Sequence, residues 1–261
     1  MDRRRITTGV SLLATLAALV LVSPPASGAL TTVASHPRIG AKLPGGGSAS
    51  AGWASSNWSG YAVTGASYTS VTGSWKVASV AASNKQTFSS TWIGIDGFND
   101  SNLIQTGTEA DYYSGSAHYN AWWEILPAAE TPISNIIVHP GDAMSANIHQ
   151  LSGSQWSITL TDVTTGQSFS TTQGYRGQLT SAEWIEEAPT VGGRIATLAH
   201  YASPLTIDPG TVNGANPGLV AADGGVMVQR AGQVSTPSIP DSDTDGFAME
   251  YGSTVPPPPG S

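Results

Sequence analysis

The chain has 261 residues, a formal net charge of −8, no cysteine, and only 11% Asp, Glu, Lys and Arg, against roughly 25% in an ordinary globular protein. The acidic balance excludes a nucleic-acid footprint, which needs clustered cations, and the missing thiols exclude disulfides and Cys-ligated metals. From Ser55 onward only Lys76, Lys85, Arg176, Arg194 and Arg230 face seventeen carboxylates, so hydroxyls and amides must cover the surface and few ion pairs are at risk in acid.

Residues 1–28 carry the signature of a secretory signal. Arg3 to Arg5 form a charged start, Val10 to Val22 an apolar core too short to span a bilayer comfortably, and Ala26-Ser27-Gly28 a small-residue cleavage site. Export and removal of this segment are expected, leaving no membrane attachment. Residues 29–54 hold Arg38, Lys42 and a Pro-Gly-Gly-Gly run at 44–47 without periodicity. Two readings stay open for them: a flexible linker, or a propeptide whose cations rest against an acidic cleft.

The main domain is expected over 55–252, as short apolar-alternating runs broken by turn signals. Asn57 to Val63 and Val71 to Val80 come first. Thr91 to Asp96 then sets Trp92, Gly94 and Asp96 against Thr91, Ile93 and Ile95, the second set reading as core. Leu103 to Thr108 aligns Leu103, Gln105 and Gly107, and Tyr119 to Ile125 aligns Asn120, Trp122 and Glu124. Strands over Ala143 to Leu151, Trp156 to Val163 and Ser168 to Thr172 follow, the last two as a hairpin. Ser181 to Pro189 packs Glu183, Glu186 and Glu187 around Trp184, and alternation points Glu183 and Glu187 one way and Glu186 the other. Arg194 to Ala202 reads as a strand or a short helix, Val226 to Gln229 and Phe247 to Tyr251 as closing strands, and 253–261 as a Pro-rich tail outside any sheet. The pattern predicts an all-β fold, an antiparallel sandwich of two large curved sheets with roughly a dozen strands.

No Gly-x-Ser-x-Gly elbow, HExxH or paired-His spacing is present, so neither a serine triad nor a zinc site is expected. Carboxylates and amides on Trp-rich strands remain. Glu124 and Glu187 beside Trp platforms suit a glycosidase or a lectin-like module, and a purely structural role for the Trp and Glu residues stays open beside it.

Five blocks in order, Trp92-Ile-Gly-Ile-Asp-Gly97, Leu103-Ile-Gln-Thr-Gly107, Tyr119-Asn-Ala-Trp-Trp-Glu124, Pro140-Gly-Asp142 and Ala182-Glu-Trp-Ile-Glu-Glu187, are similar to the glutamic peptidases, or eqolisins, from about Asn57 to Tyr251. The resemblance implies a curved two-sheet sandwich, polypeptide substrates, no cofactor or metal, and a catalytic pair at Gln105 and Glu187. It further implies a substrate cleft lined by Trp58 and Trp92, close peptide approach at Gly107, and support from Asp96, Glu109 and Glu124. Departures from the family pattern are Asn120 and Glu109 where Asp is usual, Leu126 where an aromatic residue is usual, and the absent cysteines. The expectation is a secreted, monomeric, acid-acting endopeptidase made as a precursor, with a loop at 127–136 beside the cleft; the alternative is the carbohydrate-active sandwich.

Overall fold

The computed structural model describes residues 1, 34–43 and 51–261; the expected signal segment beyond Met1 and the Pro-Gly-Gly-Gly run lie outside the described residues. The chain divides into the units Met1–Thr31 and Thr32–Ser261, and the fold is that of the second. Its strands are β1 (Ala34–Ser35), β2 (Trp53–Ser55), β3 (Trp58–Thr64), β4 (Ser70–Lys76), β5 (Ser90–Ile95), β6 (Ile104–Tyr113), β7 (Ser116–Ile125), β8 (Thr131–Pro132) and β9 (Ala143–Ser152). They continue as β10 (Gln155–Asp162), β11 (Ser168–Gly174), β12 (Ser181–Glu187), β13 (Thr190–Val191), β14 (Arg194–Ile195), β15 (Leu205–Val212), β16 (Gly224–Gln229), β17 (Gly232–Pro237) and β18 (Phe247–Tyr251). A single 3-10 turn, Ala221–Asp223, is the only helix among the described residues.

The expected antiparallel β-sandwich forms, but its two layers are one continuous hydrogen-bonded ribbon. The order is β11, β10, β9, β4, β15, β18, β17, β16, β3, β12, β5, β6, β7, β8, with β2 added parallel to β16. The ribbon folds so that β4, β9, β10 and β15 lie against β5, β6 and β12. Alternation decides what is enclosed: Ile93, Ile95, Ile104, Ile148, Ile158 and Trp184 meet between the layers.

Trp184 shows how the sequence makes this contact possible. A Cβ at Gly73 would lie 2.9 Å from the Trp184 ring and one at Gly210 2.6 Å from it, so both glycines on the facing layer make room for the indole. Its N–H donates to Thr72 O at 2.7 Å. Truncating such a residue costs about 3–5 kcal/mol.

The structure departs from three expectations. Arg194 to Ala202 is neither a full strand nor a helix: β14 closes a two-residue hairpin with β13, and isolated bridges at Leu198 and Tyr201 carry the rest. The domain start at 55 cuts β2, whose Trp53 is buried and packs on Phe98, so a domain beginning at Ala51 keeps that strand whole. The roughly dozen strands become eighteen among the described residues, several of them two-residue pairings.

The outer face of β3, β12, β5, β6 and β7 gathers a second apolar cluster, with Trp58, Trp92, Trp122, Leu103, Ile185 and Trp53. An outward face this rich in indole needs a cover. Residues 34–43 supply it: β1 pairs antiparallel with β13, the Ile39 N–H donates to Asn57 Oδ1 at 2.8 Å, and the Arg38 guanidinium lies over the Trp53 and Phe98 rings and donates to Phe98 O.

Candidate active site

Strand β12 crosses the middle of that covered face. Its period of two puts Glu183, Ile185 and Glu187 outward and Ala182, Trp184 and Glu186 inward. Register then fixes the neighbours. Glu187 lies opposite Trp58 on β3 and Ser90 on β5, Ser90 lies opposite Glu109 on β6, and Gln105 lies between Gly94 and Glu124.

Three side chains converge on the Glu187 carboxylate, which is fully buried. Asn57 Nδ2 donates to Oε1 at 2.9 Å, Trp92 Nε1 donates to Oε2 at 2.9 Å, and His36 Nδ1 donates to Oε2 at 3.0 Å. Burial raises Glu187 above the usual carboxylate range, and the His36 charge with these donors pulls it part of the way back.

His36 is the centre of the network. Its ring stacks on Trp122 at 3.9 Å and 3°, its Nε2 donates to Glu130 Oε2 at 3.3 Å, and its backbone N–H donates to Glu124 Oε2 at 3.2 Å. Gln105 Nε2 donates to the same Glu124 oxygen. Gln105 and Glu187 are thus joined through His36 and Glu124. Burial works against the imidazolium, yet Glu187, Glu130 and Glu124 hold the His36 pKa well above its ordinary value. Glu124 itself is pushed up to about 7, chiefly by burial.

Gln105 Oε1, Glu109 Oε1 and Glu124 Oε1 are buried with no hydrogen-bond partner among the described residues. Each orphan costs about 1–3 kcal/mol, a cost borne most readily where a bound molecule completes the set. His36, Glu109 and Glu130 also offer ligand atoms within 4.8 Å of one another, but the His36 ring nitrogens are already engaged by Glu187 and Glu130, which leaves the ring no free nitrogen for a metal.

Of the residues expected here, Trp58, Trp92, Glu109 and Glu124 lie around Gln105 and Glu187, and Trp58 meets Trp92 edge to face at 4.8 Å. Asp96 does not join them. It leaves β5 at φ 70° and accepts from Tyr175 Oη at 2.6 Å and the Thr180 N–H at 2.8 Å, which ties the chain ahead of β12 to the end of β5. Gly107 also has a different use. A Cβ there would lie 2.3 Å from Thr91 O and 2.4 Å from Trp92 Cβ, so β5 itself takes the space expected for a peptide. Sequence reasoning missed Asn57, Glu130 and the position of His36. Asn57 precedes β3 in a bend, where alternation carries no information, and its amide also donates to Pro37 O at 2.8 Å.

The buried acids set a pH dependence for the fold. Burial lifts Glu109, Asp111 and Glu183 well above their ordinary values and Glu186 to about 8. The folded state therefore holds protons that an unfolded Glu releases near 4.3. This stability is fully present below the unfolded values and is lost as pH rises through about 7 and about 8, where Glu124 and Glu186 ionise. Thermal unfolding should give a Tm that climbs as pH falls from about 8 to about 5; a Tm highest at the alkaline end would contradict the assignment.

A cavity of about 990 Å³ lies elsewhere, lined by Trp75, Lys76, Asp208 and Pro259 among others. The cleft over Glu187 is not open, because Ala34 to Arg38 fill it.

Comparison with known proteins bears on this site. A sequence profile described as the Peptidase A4 family matches residues 56–244. Aspergillopepsin-2 of Aspergillus niger is 32% identical over 173 residues, covering 57% of this chain and 61% of that protein. Scytalidopepsin B of Scytalidium lignicola is 33% identical over 137 residues, 51% of each. The chain thus matches about three fifths and about half of these relatives' lengths. Among solved structures, scytalido-glutamic peptidase with a transition state analog inhibitor superposes with a TM-score of 0.64 at 23% identity, over 76% of this chain and 98% of that one. SCP-B, a member of the eqolisin family in complex with the tripeptide Ala-Ile-His, gives 0.60 at 21%, with the same two coverages. Aspergilloglutamic peptidase from Aspergillus niger gives 0.51 at 24%, over 64% and 99%. At these identities the superpositions establish the sandwich fold.

Proposed function

From a chain that belongs to the peptidase A4 family, we infer a glutamic endopeptidase that hydrolyses peptide bonds in acid with Glu187 as general acid/base and Gln105 as its amide partner. The observation that carries this reading is the occupant of the cleft. An extended piece of polypeptide, Ala34-Ser35-His36, enters by strand pairing with Thr190 and Val191 and reaches Glu124 through a backbone N–H. A face that takes an extended chain this way suits a peptide better than a sugar. The tripeptide of the SCP-B complex also runs from Ala to His, as this segment does.

In the proposed reaction, ionised Glu187 takes a proton from a water as its oxygen attacks the carbonyl carbon of the scissile bond. The carbonyl oxygen becomes an oxyanion, and the Gln105 amide donates to it. Collapse breaks the C–N bond, and protonated Glu187 gives its proton to the departing amine. Asn57 and Trp92 fix the carboxylate for both transfers, and Glu124 orients the amide. Gln does not titrate, so this partner keeps its donors where a second carboxylate would change state. On the acid limb the rate falls as Glu187 is protonated; on the other limb Glu124, Glu109 and their neighbours ionise and crowd the cleft with charge.

Residues 29 to about 50 act as a propeptide in this reading. His36 covers Glu187, the place where the water would be activated, and Arg38 seals the Trp53 and Phe98 end of the face. The protein is secreted through residues 1–28 and works as a monomer on polypeptides.

The test is digestion of an unfolded protein and, separately, of a soluble polysaccharide by the protein spanning Ala51–Ser261, from about pH 2 to about pH 7. Cleavage of the protein alone, largest below neutrality, is expected. Absence of peptide cleavage at every pH, or cleavage of the polysaccharide instead, overturns the reading.

A further inference from the structure

The loop joining β17 to β18 reads Asp241-Ser-Asp-Thr-Asp-Gly246. Aspartates at alternate positions closing on glycine are the spacing with which short loops wrap a hard divalent cation. The twelfth position is Gly252 rather than Glu, so the loop lacks the terminal bidentate ligand of the helix–loop–helix version and needs another donor. The fold brings one from a different strand. Asp208 on β15 lies beside the loop, and Asp208, Asp241 and Asp245 each offer a carboxylate oxygen within 4.8 Å of the others.

The side chains are held for this. Asp241 is 5% exposed; its Oδ1 accepts the N–H groups of Asp245 at 3.2 Å and Gly246 at 3.3 Å. Its Oδ2 is buried with no hydrogen-bond partner among the described residues. A Cβ at Gly246 would lie 2.6 Å from both Asp241 Oδ2 and Asp208 Oδ1, so these two oxygens converge over one point that only glycine leaves free. Among the described residues every ion pair is made by histidine, and none of them involves Asp208, Asp241 or Asp245. A buried, unpartnered carboxylate oxygen facing two more acids is unfavourable without a compensating positive charge.

We propose that Asp208, Asp241 and Asp245 bind one divalent cation of the calcium class. The donors are all carboxylate oxygens with no nitrogen or sulfur among them, which favours a hard ion, and an irregular loop suits calcium's flexible coordination better than the strict octahedron of magnesium. Asp208 also lines the cavity of about 990 Å³, which gives the ion a path from solvent. The site pins the β17–β18 loop to β15 and shares no residue with the cleft over Glu187, so it stands or falls apart from the peptidase reading. Zinc and thiolate spacings do not register a loop of this kind, so the expectation of no metal is set aside here.

The experiment uses the full chain, stripped with chelator and held near neutral pH, titrated with calcium chloride by calorimetry and followed by thermal unfolding. Saturable binding of one ion per chain is expected, with a rise in Tm of about 5 °C at saturation. Asp241→Asn and Asp245→Asn should each weaken binding by about tenfold or more and abolish most of that rise. The carboxamide introduced by Asp241→Asn keeps an oxygen for the two loop N–H groups, so the variants should unfold in chelator at or above the wild-type Tm, with one repelling charge gone. The absence of saturable binding by the wild type, or undiminished binding by both variants, overturns the proposal; since the wild-type titration alone can do so, the test survives a variant that fails to fold.

Discussion

Glu187→Gln, made in the protein spanning Ala51–Ser261, is expected to lower kcat for peptide hydrolysis by about 10⁴-fold with KM little changed. The size follows from the two tasks placed on one carboxylate. The side chain must first accept a proton from water and later return it to the amine, and a carboxamide does neither. Shape is nearly kept, since a Gln oxygen still accepts from Trp92 at the position now 2.9 Å from its indole nitrogen, and circular dichroism should register no change of fold. Gln105→Ala removes a donor to the developing oxyanion and is expected to cost about 10²–10³-fold, again in kcat. It also frees Glu124, whose Oε2 now accepts the Gln105 amide, so the neutral limb of the pH–rate profile should shift as well. Wild-type rates in both variants would remove Glu187 and Gln105 from the chemistry.

The second large effect concerns the segment in the cleft. The uncut protein, beginning near Ala29, is expected to be at least about 10²-fold less active than Ala51–Ser261 near neutral pH. His36→Ala in the uncut protein should recover much of the difference. The ring is held by Glu187 from β12, by Glu124 from β7 and by Glu130 beyond β7, with Glu109 of β6 nearby, while Arg38 answers Glu183. The sign of the pH effect follows from these partners. Docking raises the His36 pKa, so that part of the attachment is complete below the ordinary value of about 6.5 and is lost as pH rises through the docked value. Burial raises Glu187 and Glu124, and the His36 charge opposes that rise, so the ion-pair part of the attachment is lost as pH falls and these carboxylates are protonated. The segment is therefore held most tightly between those limits and loosens in acid, where the peptidase works. The ratio of rates between the cut and uncut proteins should shrink as pH falls from about 7 to about 3. Equal rates at every pH would return residues 29–50 to the status of a linker.

Much of this site was legible because strands write their faces into the sequence. The alternation in Ser181 to Glu187 separates Glu186 from Glu183 and Glu187 without any structure, and Glu186 does lie on the inward face, where Thr91 Oγ1 donates to it at 2.7 Å. Phe247–Tyr251 was readable to the residue as a short apolar run. What escaped has equally physical causes. Leu205–Val212 contains Asp208-Pro209-Gly210, which reads as a turn; in the fold the register slips between Ile207 and Gly210, and the strand bulges instead of ending. Gly232–Pro237 is too polar to announce itself, although it pairs on both sides. His36 is the sharper case. Composition singled out Arg38 and Lys42 as the cations of this stretch, and without periodicity nothing in the sequence says that His36 is the group that reaches the carboxylates. That depends on Pro37 and Ile39 meeting Asn57 eighteen or more positions later, a pairing made only in three dimensions.

Digestion of an unfolded protein by Ala51–Ser261 in acidic, 18O-enriched water, read by mass spectrometry, tests the central claim most directly. The account predicts internal peptides whose new C-terminal carboxylates carry the heavy oxygen, produced by the wild type and almost absent with Glu187→Gln. No new termini from the wild type, or labelled peptides made equally well by the variant, would contradict it.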